Sequence, residues 1–186
     1  MITQDRSTTT RLVLRDGQLE PERPTTTTHA VLDSPLGPVV LVAEDGMVSR
    51  VLLPGTRRAP GIETLGSPST DGLEPAIGQL GEYFAGTRTQ FDLPLHLVGS
   101  AFQLRVWQGL VAIPYGETRT YGQLASDLGL DPRTTARAVG AANGRNPVAV
   151  VVPCHRVIGA DGALTGYAAG VESKRFLLEL ESSRLF

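Results

Sequence analysis

The sequence predicts an α+β fold: a small N-terminal antiparallel β-sheet with one helix, then a mostly helical C-terminal domain containing a helix-turn-helix. Three observations carry that reading. Between residues 29 and 53, short β-branched runs alternate with strong turn sequences, the pattern of an antiparallel sheet. Beyond residue 100, apolar residues recur at three- and four-residue spacing, the pattern of amphipathic helices. Within that second half, two short helices with good N-terminal caps are joined by a Gly-containing turn.

Residues 1–28 hold two runs rich in Thr, Ser7-Thr8-Thr9-Thr10 and Thr25-Thr26-Thr27-Thr28, with Pro21 and Pro24. Arg11-Leu12-Val13-Leu14 has the composition of a short strand, but the segment as a whole reads as a flexible extension. An N-terminal α/β domain follows over 29–98. Its strands are Ala30-Val31-Leu32, Val39-Val40-Leu41-Val42 and Val48-Ser49-Arg50-Val51-Leu52-Leu53. The turn sequences Asp33-Ser34-Pro35-Leu36-Gly37-Pro38 and Glu44-Asp45-Gly46 separate them. Leu73, Ile77, Leu80 and Phe84 then share one helical face, and Gly86 ends that helix.

The C-terminal domain, 99–186, opens with a helix whose face is Phe102, Val106, Leu110 and Ile113, stopped by Pro114-Tyr115-Gly116. Thr120 and Gln123 form a capping box for a helix with Tyr121, Leu124, Ala125 and Leu128 on one side, closed by Gly129. Asp131 and Pro132 supply the N-cap and first residue of the next helix, which runs to about Gly144. On it Arg133, Arg137 and Ala141 form a stripe, and Ala138, Gly140, Ala141, Ala142 and Gly144 leave almost no bulk. A major-groove reader normally displays long polar side chains. A small-sided helix with isolated arginines suits close approach to a minor groove, and equally permits tight helix–helix packing.

Composition narrows the function. The net charge is −2, which argues against a generic polyanion binder, but it is unevenly spread. Residues 1–100 carry 8 Arg and 12 acidic residues, a balance of −4, and residues 101–186 carry 9 basic and 7 acidic residues, a balance of +2. A polyanionic partner should therefore meet the second half. No apolar stretch is long enough to span a bilayer, and the polar N-terminus has no signal-peptide core. A single thiol and no secretion signal point to a reducing cytoplasm.

That thiol, Cys154, follows the run Val148-Ala149-Val150-Val151-Val152, which has the composition of a fully buried strand. It sits inside Pro153-Cys154-His155-Arg156. A lone cysteine can neither form an internal disulfide nor build a cysteine-rich metal site; no metal or cofactor is expected. Most lone cysteines are small buried hydrophobes, but a base and a cation next to this one favour a reactive thiolate. The last helix places Val171, Lys174, Leu177, Leu178 and Glu181 on one face. Lys174 can reach water along its aliphatic stem. Glu181, where a leucine is expected, either marks the helix leaving the core or orients a histidine. A Gln there should slow chemistry at modest cost to stability.

The run 153–159, preceded by Asn146-Pro147 and followed by Gly166-Tyr167 and Glu181, closely resembles the O6-alkylguanine-DNA alkyltransferases. The likeness extends upstream through Phe102-Gln103-Leu104-Arg105-Val106-Trp107, Ile113-Pro114-Tyr115-Gly116-Glu117-Thr118, Tyr121 and Ala136-Arg137-Ala138-Val139-Gly140. It implies a suicidal repair protein that moves an alkyl group from O6 of guanine, and from O4 of thymine, onto Cys154. His155 would be the base acting through a water, Glu181 its orienter, Tyr121 the proton donor to guanine N3, and Asn146 the hinge. Arg137 would fill the gap left by the flipped nucleotide. Tyr121, Arg133, Ala136, Ala138, Gly140 and Ala141 would meet DNA, and Tyr121, Val157, Tyr167, Ala168 and Ala169 would line the pocket. The implied partner is duplex DNA containing alkylated guanine, bound by a protein that is monomeric in solution and open to cooperative assembly on DNA.

Three other functions compete. A helix-turn-helix regulator would use Cys154 structurally. A hydrolase could use Cys154, His155 and Glu181, although such enzymes normally keep the His far from the Cys in sequence. A damage sensor would bind alkylated DNA without transfer, but the related sensor proteins lack the cysteine.

Overall fold

The computed structural model describes residues 26–182 together with the backbone of a short strand, β1 (Leu12–Leu14). Of the Thr-rich segment expected to be flexible, Thr27 and Thr28 belong instead to a strand of the main sheet, and the rest, β1 and Thr26 apart, lies outside the described residues. β1 is a correction to that expectation. It pairs in parallel with β6 (Leu97–Gly99), in the register Leu12 with Leu97, Val13 with Val98 and Leu14 with Gly99.

The main sheet has the order β4-β3-β2-β5. β2 (Thr27–Leu32), β3 (Val39–Glu44) and β4 (Met47–Leu52) are antiparallel, and β5 (Ser67–Pro68) adds in parallel to β2. The β2–β3 turn is tied by Ser34 Oγ donating to Gly37 O at 2.7 Å. The β3–β4 turn places Asp45 and Gly46 at φ of 49° and 77°, the two-residue geometry that suits the strand twist. α1 (Glu74–Phe84) ends where Gly86 takes a φ of 68°.

α2 (Ala101–Val111) begins with a capping box between Ser100 and Gln103. A second capping box joins Thr120 and Gln123 at the start of α3 (Tyr121–Asp127), as its sequence predicts. Gly129 turns the chain at φ 68°, and Asp131 caps α4 (Pro132–Asn143) through the Arg133 N–H. Trp107 is buried and donates from Nε1 to Ala142 O at 2.9 Å, pinning α4 to α2. β7 (Arg119–Thr120) and β8 (Val157–Ile158) form a short parallel pair, and α5 (Val171–Ser182) closes the described chain. No helix among the described residues is long and apolar enough to cross a membrane.

One buried cluster spans both halves, from Leu41 and Leu80 to Leu104, Val139, Val152 and Leu177. The free edge of β4 is closed from the second half: Val51 N donates to Pro147 O and Ala149 N donates to Val51 O. This corrects the reading of residues 148–152. The four valines are buried as expected, Ala149 is half-buried, and the run forms turns rather than a strand, with a single bridge between Val51 and Val148. An apolar run signals burial, and burial alone does not distinguish a strand from a coiled turn.

Candidate active site

The buried turn leads directly into Cys154. Val150 takes a φ of 71°, a conformation that a β-branched residue adopts only when its surroundings impose it. Asn146 imposes it. Its Oδ1 accepts from Val148 N at 3.0 Å, and its Nδ2 donates to Val152 O at 2.7 Å and to Cys154 Sγ at 3.1 Å. One amide therefore fixes both the turn and the sulfur. Cys154 opens a single 3₁₀ turn, Cys154–Arg156, whose three side chains are all buried. Burial pushes the thiol's pKa up, against the Asn146 hydrogen bond and the nearby Lys174 ammonium. The resting group is a thiol that needs a base.

His155 is fully buried, and burial lowers its pKa against the pull of Glu181, so it rests neutral. Its Nε2 lies 2.8 Å from Glu181 Oε1. Glu181 is ionised, its pKa brought down to about 2 by His155 and Arg156 against the cost of burial. A carboxylate only accepts, so Nε2 carries the proton and Nδ1 keeps its lone pair. Nδ1 is buried with no protein hydrogen-bond partner. That nitrogen is therefore free to take a proton.

Glu181 does more than orient the histidine. Arg156 grips it with both arms, Nε to Oε2 at 2.9 Å and Nη2 to Oε1 at 3.0 Å. The Gly116 N–H donates to Oε2 at 3.1 Å, from a glycine whose φ of 77° lets the backbone turn there. Tyr83 Oη donates to Oε1 at 2.8 Å. Arg156 is completed by a bond from Nη1 to Ile113 O and by the Tyr115 ring 5.7 Å away.

Lys174 does not reach water. It is fully buried and donates from Nζ to Val157 O at 2.6 Å and Thr165 O at 2.8 Å. Two inward carbonyls satisfy the ammonium and hold it near the thiol, which helix periodicity could not show. Tyr167 is buried with its hydroxyl beside Cys154, though without a hydrogen bond of good geometry.

A cleft at Cys154 is lined by Asn146, Gly166, Tyr167, Ala168 and Ala169, and by Val51, Leu52 and Thr56 from the sheet half. Val157, expected in the pocket, is fully buried on β8 and outside that lining. Its register in the β7–β8 pair turns it into the core. Tyr121 flanks the cleft, with Oη donating to Thr165 O at 3.3 Å. On α4, Arg133, Arg137, Ala138 and Ala141 are exposed, Ala136 and Gly140 are half-buried, and Val139, Ala142 and Asn143 face inward. The small residues serve both faces: a Cβ on Gly140 would sit 3.5 Å from the Tyr121 ring.

Sequence reasoning missed Tyr83, Thr56 and the grip of Arg156 on Glu181. Tyr83 and Thr56 carry no local signal, being brought in from 98 residues away in one case and from a loop in the other. Arg156 did carry one: a charged residue inside an otherwise buried motif demands a counter-ion.

Both halves of the chain are similar to known proteins. A family model described as the 6-O-methylguanine DNA methyltransferase DNA-binding domain matches residues 101–183, and one described as the ribonuclease-like domain of that methyltransferase matches residues 28–97. A methylated-DNA–protein-cysteine methyltransferase of Mycobacterium tuberculosis is 47% identical over 156 residues, covering 84% of this chain and 93% of that protein. One from Methanosarcina acetivorans is 47% identical over 158 residues, covering 83% and 98%. The crystal structure of Mycobacterium tuberculosis OGT in complex with DNA superposes with a TM-score of 0.78 at 47% identity, covering 84% of this chain and 94% of that one.

Proposed function

The chain belongs to the 6-O-methylguanine DNA methyltransferase family, which transfers alkyl groups from DNA to a protein cysteine, and we infer that Cys154 is the acceptor in one irreversible turnover. The observation that carries this reading is the buried sequence Cys154, His155, Glu181, with an ionised carboxylate at one ring nitrogen and an unpartnered lone pair at the other. A water between Cys154 Sγ and His155 Nδ1 carries the thiol proton to the imidazole, and Glu181 stabilises the cation that results. The Asn146 amide and the Lys174 ammonium favour the thiolate over the thiol.

Sulfur then attacks the alkyl carbon. The S–C bond forms, the C–O6 bond breaks, and its electron pair stays on guanine, which takes a proton at N3 from Tyr121. Burial raises the Tyr121 pKa, so its hydroxyl is protonated when the base arrives, and the phenolate left by the transfer regains a proton from solvent. The product is a thioether with no facile reversal, so one protein repairs one lesion. O4-alkylthymine presents the same carbon–oxygen bond and reacts by the same step.

Guanine O6 lies inside the duplex, so the base must leave the stack before Cys154 can reach it. The exposed small face of α4 approaches the minor groove, with Arg137 entering the stack and Arg133 on a phosphate. Tyr121, Tyr167, Ala168 and Ala169 bound the space for the flipped base. Intact-protein mass spectrometry after incubation with O6-methylguanine duplex tests the whole reading. One added methyl, located on Cys154 and absent in Cys154→Ser, is expected. Sustained turnover, or methyl on another residue, refutes it.

A further inference from the structure

The carboxylate that serves His155 has a partner outside the alkyl-acceptor half. Tyr83, on α1, is fully buried and donates from Oη to Glu181 Oε1, the same oxygen that accepts His155 Nε2–H. Burial and the charge of Glu181 push the Tyr83 phenol far above its ordinary pKa, so it remains a donor at every working pH. Packing alone does not call for the hydroxyl. The ring sits among Phe84, Phe91 and Tyr115, with centroids 5.5, 5.5 and 6.2 Å away, and a phenylalanine would fill that space equally well.

We propose that Tyr83 is a positioning residue for alkyl transfer, its hydroxyl holding Glu181 Oε1 against His155 and drawing charge from it, so that the sheet half sets the basicity of the relay. The inference rests on the Cys154–His155–Glu181 relay proposed above. A carboxylate oxygen divides its charge among its donors, and Oε1 has three: His155 Nε2, Arg156 Nη2 and Tyr83 Oη. Removing one leaves more charge for the others. The charged and titratable groups around His155 and its carboxylate are Glu181 and Lys174 from α5, Cys154 and Arg156 from its own turn, Tyr83 from α1 and Tyr167 from the loop before α5, with Tyr115 packed on Tyr83 and Arg156. Of these, Tyr83 is the phenol that donates directly to Glu181, and its hydroxyl can be removed without stranding a charge. His155 must be neutral to accept the thiol proton. Loss of the Tyr83 hydroxyl strengthens the pull of Glu181, raises the His155 pKa and extends its protonated range toward neutral pH.

The test is single-turnover methyl transfer against pH for wild type, Tyr83→Phe and Phe84→Leu, the last loosening the same helix while keeping the hydroxyl. Wild type should lose rate as pH falls through the titration of His155, below its ordinary 6.5. Tyr83→Phe should move that midpoint up by about half a unit or more, the scale on which one hydrogen bond shifts a coupled group. Phe84→Leu should leave it in place. Superimposable wild-type and Tyr83→Phe profiles, a downward shift, or an equal shift in Phe84→Leu would each overturn the proposal. If Tyr83→Phe does not fold, 3-fluorotyrosine at position 83 keeps the shape and strengthens the donor. It must then move the midpoint down, and no movement overturns the proposal. A wild type without transfer or without an acid limb sinks the relay itself, and is distinct from failure at Tyr83.

Discussion

Replacing Glu181 by Gln should be far more costly to stability than the helix periodicity of α5 suggests. The carboxylate accepts five hydrogen bonds: Tyr83 Oη, His155 Nε2 and Arg156 Nη2 at Oε1, and Arg156 Nε and Gly116 N at Oε2. An amide has one oxygen and one NH₂ group. If its oxygen takes the place of Oε1, the NH₂ group faces the Arg156 Nε–H and the Gly116 N–H. In the other orientation it faces three donors. The better orientation still strands two donors, and the buried Arg156 guanidinium loses its counter-ion. Breaking one partner of a buried ion pair costs about 3–5 kcal/mol, out of a total stability of about 5–15 kcal/mol. At about 2–4 °C per kcal/mol, the melting temperature of Glu181→Gln should fall by roughly 6–20 °C. Thermal and urea unfolding followed by circular dichroism measure this directly. Adding Arg156→Met to the variant should restore part of the loss, since the stranded charge goes with it. Transfer should also slow at least tenfold, about 1.4 kcal/mol of barrier. A stability loss below about 1 kcal/mol would show that Arg156 does not depend on Glu181. A rate within about twofold of wild type would remove Glu181 from the relay.

Other outcomes follow from the same geometry. Asn146→Ala removes the amide that fixes the 148–152 turn and the sulfur, so it should cost about 1–3 kcal/mol and raise the pH midpoint of thiol labelling at Cys154; an unchanged midpoint would mean that the Nδ2 contact at 3.1 Å does not tune the thiol. Acid should unfold the protein in two stages. The depressed His155 pKa makes stability fall as pH drops below about 6.5, where the unfolded imidazole takes up a proton and the native one does not. The depressed Glu181 pKa adds a second loss from about 4.5 down to about 2. Urea midpoints that stay flat from pH 7 to 4 would contradict the first stage. Arg137→Ala should impair repair of duplex DNA much more than transfer from free O6-benzylguanine, which needs no flipping, and Arg133→Ala should mainly weaken binding in a salt-dependent way; equal slowing of both substrates by Arg137→Ala would give Arg137 a structural role instead.

The sequence by itself determined the local architecture and the adjacency of Cys154 and His155. Turn chemistry at Asp45-Gly46, the capping box of Thr120 and Gln123, and the Asp131-Pro132 helix start all depend on neighbours within a few residues, so they are legible in one dimension. Cys154 beside His155 is equally local, and Glu181 announced itself as a carboxylate on an apolar face. The tertiary structure decided what surrounds them. It turned the β-branched run 148–152 into a strained turn, because hydrogen bonds to Asn146 and an edge bridge to Val51 outweigh strand propensity. It drew Lys174 inward, where two carbonyls replace water. It also brought Tyr83 from α1 onto Glu181 and Thr56 to the cleft beside Cys154. Spacing along a helix fixes which residues share a face, but the partners that the face meets are set by long-range packing, and the charge state of a buried group depends on those partners.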